Sequence, residues 1–205
     1  MTPLDILASI PEERRLAFEQ RLERLYAEMD VAYTAAASGY GFFCTGCADN
    51  CCLTRFHHHT LAELALLRSA FSRLPPAERK AAADRAQAVL SSYRDAEKIG
   101  EPPRVMCPIN VDHRCMLYPS RPMICRMHGI PHQLRGPGRP AVYGTGCRVF
   151  SEQCPNGSAG PVFDRTPFYQ KMAALEKEIR VAARYTGRIK MTVAEMILLF
   201  FKERA

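Results

Sequence analysis

The run Cys44-Thr45-Gly46-Cys47-Ala48-Asp49-Asn50-Cys51-Cys52 places four thiols within nine residues, and no other stretch constrains the fold as strongly. Sulfurs this close in sequence can converge on one ion or cluster without help from distant parts of the chain. Five more cysteines, Cys107, Cys115, Cys125, Cys147 and Cys154, form a looser second group. The N-terminus shows no basic region followed by an apolar core, so no secretory signal is read there. The late apolar run Met196 to Phe201 falls far short of the roughly 20 residues needed for a membrane span. The expectation is a cytoplasmic protein without a membrane span. In that reducing setting an odd count of nine cysteines reads as metal ligands or redox groups rather than a disulfide framework.

Charge follows the cysteines. The net charge of +7 invites a nucleic-acid reading. Between Glu101 and Phe150, however, stand Arg104, Arg114, Arg121, Arg126, Arg135, Arg139 and Arg148, against only Glu101 and Asp112. Metal–thiolate centres are net negative, and guanidinium groups beside them offset that charge and donate to sulfur. This role is favoured over a nucleic-acid surface, which stays as the alternative.

Around the cysteines the chain reads as helical. Ser9-Ile10-Pro11-Glu12 has capping-box spacing, and Leu16, Phe18, Leu22, Leu25, Tyr26 and Met29 recur at helical intervals, predicting a helix over 10–37. Ser38-Gly39-Tyr40-Gly41 ends it, and Phe42-Phe43 is read as an apolar lid over the site, with core packing as the alternative. Thr60 with Glu63 opens a helix to about Arg73, and Pro75-Pro76 starts another over 76–98 that ends near Gly100. Thr166-Pro167 fits an N-cap and first helical residue, with helix through Tyr185; Thr192 with Glu195 caps a last helix. Between 101 and 163 proline and glycine become frequent and helical periodicity vanishes, with short strands expected at 114–118 and 141–149. About sixty residues with so little regular structure need something other than secondary structure to hold them, and a bound metal would do so. The expected fold is mainly α: a single domain over 1–205, its helical shell (10–37, 166–204) enclosing an irregular cysteine-rich core at 42–155 with a helical insert at 60–98 and at most short strands.

A thiolate site needs three or four deprotonated sulfur donors held by tight turns. Cys44-x2-Cys47, with Gly46 between, meets this, and Cys51 extends it to C-x2-C-x3-C. Cys107-Pro108 and Cys154-Pro155 repeat the cysteine–proline pairing that ends the bacterial ferredoxin run. A zinc ribbon would want C-x2-C twice, and this chain has it once.

These runs, with Cys107-Pro108-Ile109 and Cys115-Met116-Leu117-Tyr118-Pro119-Ser120-Arg121-Pro122-Met123-Ile124-Cys125-Arg126, resemble the YkgJ-type cysteine-cluster family, the CxxCxxCC zinc- or iron-chelating domain. The likeness covers roughly residues 42 to 130 and departs from the family name in the three residues between Cys47 and Cys51. It implies an iron–sulfur cluster of the [4Fe–4S] class, or zinc, held by Cys44, Cys47, Cys51, Cys52, Cys107, Cys115 and Cys125, with Cys147 the next candidate. It implies no reaction. A similar domain occurs in flagellin lysine methylases, but no glycine-rich dinucleotide-type loop is present here, so methyl transfer is not carried over.

Among the histidines, His128 and His132 follow the Cys125-Arg126 element closely and His128 is the first to test as a ligand, while His57, His58 and His59 fit packed or exposed loop positions, with a nitrogen ligand or a donor to the site as the alternative. Arg121 and Arg126 are expected to tie the loop to carbonyls or neutralise the site. There is no G-x-S-x-G, P-loop or H-E-x-x-H motif, so an enzyme is unsupported rather than excluded. The functional expectation is an iron–sulfur protein with a redox, electron-transfer or accessory role and an unidentified protein or redox partner. The alternative is a zinc module whose basic segment binds nucleic acid or an acidic protein.

Overall fold

A computed structural model describes residues 2–44, 51–155 and 162–203. Helix takes 59% of the described residues and strand 11%, which makes the architecture mainly α. At its centre lies α3 (Leu61–Ser72), whose Leu61, Leu64, Leu66, Leu67 and Phe71 are each at most 2% exposed. A helix apolar on nearly every side must be enclosed. Packed around it are α1 (Pro3–Ala8), α2 (Glu12–Gly39), α7 (Thr166–Ala182) and α8 (Val193–Lys202), while α4 (Pro76–Ile99) lies against α8. The buried side chains form one contiguous core from Leu4 to Phe200.

The helix starts follow local chemistry. Thr192 accepts from Glu195 N–H and Glu195 answers at the Thr192 backbone, the reciprocal capping box the sequence predicted. At Thr60 only half of the predicted box forms. Its hydroxyl oxygen accepts from Glu63 N–H, but the Glu63 carboxylate turns inward to accept from Met123 N–H at 2.8 Å. The first helix corrects the sequence reading. Thr2 and Asp5 make the capping box, with Pro3 in the first turn, and open a separate α1. Ser9 is instead the C-cap of α1, its backbone N–H donating to Asp5 O and its hydroxyl to Ile6 O, and α2 starts at Glu12. Gly100, in the left-handed region at φ +71°, ends α4 by the expected glycine stop.

The proline-rich stretch carries two small sheets. β1 (Asn110–Val111) and β2 (Arg114–Cys115) form an antiparallel pair turned through Asp112 and His113, both at positive φ. β3 (Pro131–Arg135) pairs antiparallel with β4 (Ala141–Thr145) and parallel with β5 (Phe163–Asp164). The predicted strand at 114–118 is cut to two residues because Tyr118–Ser120 coils into a 3-10 turn. That at 141–149 ends at Thr145, since Cys147 caps α6 (Arg148–Gln153). A four-residue α5 (Met123–Arg126) lies between the sheets and packs on α2. Among the described residues, no helix is long and apolar enough to cross a membrane.

Candidate metal centre

Two backbone connections bring the distant cysteines toward the first run. Cys107 N–H donates to Cys52 O at 2.9 Å, so the 3-10 turn Cys51–Leu53 sits against the start of the irregular segment. In the β1–β2 register Asn110 pairs with Cys115, and the Asn110 side chain hydrogen-bonds the Cys52 sulfur. Cys125 rides on α5, with Cys52, Cys107 and Cys115 as its electrostatic neighbours. Four thiols from the first run, the β1–β2 unit and α5 therefore share one neighbourhood, and Cys51 belongs to it through its hydrogen bond to Cys52.

The electrostatics are those of crowded, part-buried sulfur. Burial pushes the Cys107 thiol up to about 12, and Cys52 and Cys115 add to the rise, against the Ile109 N–H and Arg85. Burial likewise raises Cys115 to about 11, opposed by the Leu117 N–H, Arg121 and Arg126. Cys125 is held well above the ordinary thiol range by burial and by its three sulfur neighbours. Only Cys52 moves down, because Cys51 and the Asn110 side chain both stabilise its thiolate; Cys51, as the donor, moves up.

Arginines line this neighbourhood, each fixed by carbonyls as the sequence suggested. Arg126 spans Arg121 O, Pro119 O and Asp30, and its guanidinium lies 4.0 Å from the centre of the Tyr26 ring. Arg121 reaches Tyr118 O and Asp30. Sequence reasoning missed Arg85, which looked like one more charge on an amphipathic surface helix. It reaches from α4 to Pro108 O at 2.7 Å and Met116 Sδ at 3.3 Å, beside Cys107. It also missed Asn110 and Asp30. The Cys-Pro-Ile-Asn spacing could have flagged Asn110, but no local signal marks Asp30, whose partners are more than ninety positions away.

The remaining candidates lie elsewhere. Cys44 is exposed, and Cys47 falls outside the described residues. Cys147 caps α6 by accepting from Phe150 N–H at 3.4 Å, and its own N–H donates to Gly129 O. Like Cys44 and Cys51, it interacts electrostatically with Tyr33, and Cys44 is itself a neighbour of Cys51. Cys154 donates to Tyr40 O. The lid reading of the aromatic pair is corrected: Phe42 packs in the core against Phe150, and Phe43 is 67% exposed. His58 is buried and joined to Met191 by two backbone hydrogen bonds, His59 lies 3.2 Å from Ile189 O, and His128 packs edge-on against Phe56. His58 and His59 are thus held against the 189–191 backbone.

None of the described cysteines is in a disulfide. Among the described residues, no three His, Cys, Asp or Glu side chains stand in an arrangement that could hold a metal ion. The donor set therefore suits a thiophilic ion in kind, being soft, gathered and flanked by cations, while its described geometry is not that of a closed coordination site. Comparison with protein-family models, with curated proteins and with solved structures finds no match to this chain.

Proposed function

We propose that the chain is a metal-binding cysteine-cluster protein carrying an iron–sulfur cluster of the [4Fe–4S] class, with a redox, electron-transfer or accessory role in the cytoplasm. The observation that carries the reading is the shared neighbourhood of Cys52, Cys107, Cys115 and Cys125, part-buried sulfurs from three stretches of chain, none of them in a disulfide. Packing alone gives small apolar residues no reason to be four thiols. Burial and mutual repulsion keep three of them protonated, and thiols in that state become thiolates together only when a cation compensates them. Arg85, Arg121 and Arg126 supply part of that charge, and a bound metal would supply the rest. The sulfurs would close on the group as it binds, with Cys51 and, from the run outside the described residues, Cys47 as further donors. Ordering coupled to ligation in this way is the usual behaviour of small thiolate sites. Cys44 and Cys147 complete the proposed set from the Tyr33 side. The resemblance of the cysteine spacing to the YkgJ-type pattern supports the same reading.

The test is the visible spectrum of anaerobically purified protein. Broad absorption that disappears in Cys107→Ser and Cys125→Ser, and persists in Cys154→Ser, is the expected result. A colourless protein removes the cluster reading.

A zinc module with a basic binding surface is the second reading, favoured by one feature. The β3–β4 hairpin presents Arg135, Arg139, Val142 and Tyr143 to solvent, the last two at 70% and 66% exposure, a cationic and aromatic surface of the kind that meets nucleic acid or an acidic protein. Stoichiometric zinc together with salt-sensitive RNA binding would select this reading, and no measurable affinity at low salt would end it.

A further inference from the structure

Arg165 is 5% exposed, yet among the described residues it has no carboxylate partner. Its Nη2 donates to Met127 O, and its Nε is buried without an acceptor. A guanidinium taken out of water without a counter-charge is costly, by several kcal/mol in general terms, and one carbonyl offsets only part of that. The other buried arginine among the described residues is provided for: Arg126, equally enclosed, has Asp30 and two carbonyls.

The groups around Arg165 are polar, neutral and part-exposed. Met127 O places its head beside His128, and the Tyr33 hydroxyl donates to His128 O at 2.9 Å. The Arg165 N–H donates to Gln133 O at 3.0 Å, which sets the residue next to His132 on β3. One turn into α7, Tyr169 N–H donates to Arg165 O. His128, His132, Tyr33 and Tyr169 all number among the groups that interact electrostatically with Arg165. Burial keeps both imidazoles neutral more readily than usual and both phenols protonated, so none of the four supplies negative charge. Tyr169, His128 and His132 can each supply a hydrogen bond, while the Tyr33 hydroxyl, its proton already given to His128 O, fixes that carbonyl.

We propose that Arg165, Tyr169, His128 and His132 form a binding subsite for a small oxyanion, a carboxylate or phosphoryl group, with the unpartnered Nε of Arg165 as its buried anchor. The subsite adjoins the cysteines at Gly129. A Cβ there would stand 3.1 Å from the Tyr33 hydroxyl and 3.8 Å from Cys147 Sγ. An anion bound on Arg165 would then sit on the side of the molecule that carries Cys147. The proposal does not depend on the metal reading and can be measured on protein of any metal content.

Inorganic phosphate and, separately, acetate are titrated into the full chain by calorimetry at constant ionic strength. The two arms distinguish a phosphoryl from a carboxylate ligand. Saturable binding of at least one anion is expected. Arg165→Met should weaken it about tenfold or more, the loss of a charged hydrogen-bond partner, and His132→Gln and Tyr169→Phe about threefold each. Arg21→Met, which breaks an exposed pair with Glu178, should leave it unchanged. If Arg165→Met does not fold, the two rim variants carry the test, on chains whose circular dichroism matches the wild type. No saturable binding of either anion overturns the proposal. So does wild-type affinity in folded Arg165→Met or, where that chain does not fold, in both rim variants.

Discussion

The helices around α3 and the segment from 101 to 163 belong to one buried core but are held by different physics. In the shell, side chains such as Leu22, Met29, Leu64 and Met196 are fully enclosed, and the backbone satisfies itself within helices. In the irregular segment, strands are two to five residues long and backbone carbonyls are tied by arginines: Pro108 O by Arg85, Pro119 O and Arg121 O by Arg126, Met127 O by Arg165. The lesson is that burial suffices for the first region, whereas the second is organised by directed polar contacts and, in our proposal, by ligation at sulfur. The seam between them is Glu63, a buried carboxylate of α3 that accepts from Met123 N–H of α5 and from the Tyr26 hydroxyl of α2.

This contrast can be broken by substitution. Leu64→Ala should cost about 2–5 kcal/mol in urea unfolding, as a fully buried leucine in a helix without room to collapse. If it cost under about 1 kcal/mol, the shell would not be the burial-driven region we describe. Glu63→Ala should cost about 1–3 kcal/mol by leaving Met123 N–H buried without an acceptor. Its mark in hydrogen exchange should be faster opening of 118–127 than of α8. Uniform loosening would deny Glu63 its place as the seam.

A pH series sharpens the same comparison. His58 lies under the shell with its pKa below the ordinary 6.5, chiefly through burial and despite Glu63 4.0 Å from its Nδ1. Because the folded pKa is the lower one, the unfolded chain binds more protons once pH falls below about 6.5. Stability from this residue is therefore complete above that value and is lost as pH falls toward the folded pKa. The urea midpoint should drop between about pH 7.5 and 5.5, and the slope should flatten in His58→Gln. His57, His128 and His132 shift in the same direction, so a residual slope is expected in that variant. A midpoint that rises on acidification would contradict the burial of His58 in neutral form. The smallest effect belongs to the surface. Arg21→Ala, which removes an exposed bidentate pair with Glu178, should change stability by less than about 1 kcal/mol.

The shell was legible in the sequence because its signals are local. Thr192 with Glu195, Pro75-Pro76 and Gly100 each fix a helix end within a few residues. Where two local signals competed, reading failed. Ser9 with Glu12 and Thr2 with Asp5 both have capping-box character, but Ser9 is taken up as the C-cap of the α1 that Thr2 and Asp5 open, and Pro11 precedes α2 instead. The segment from 101 to 163 was legible as irregular with short strands at 114–118 and 141–149, within which β2 and β4 fall, but not the sheet they build, since β3 and β5 pair across about thirty residues and no local pattern specifies that register. At the candidate site the sequence named the cysteines and the tethering role of Arg121 and Arg126. Arg85, Asn110 and Asp30 stayed hidden, because their partners are set by the fold rather than by spacing.

The central claim is that the gathered thiols hold a metal group. Iron, labile sulfide and zinc measured on one anaerobically purified sample test it most directly, with Cys107→Ser and Cys125→Ser beside the wild type. The account predicts iron and sulfide in stoichiometric amount in the wild type and their loss in both variants. Wild-type protein that binds neither iron nor zinc would contradict it, and the four sulfurs would then be core packing.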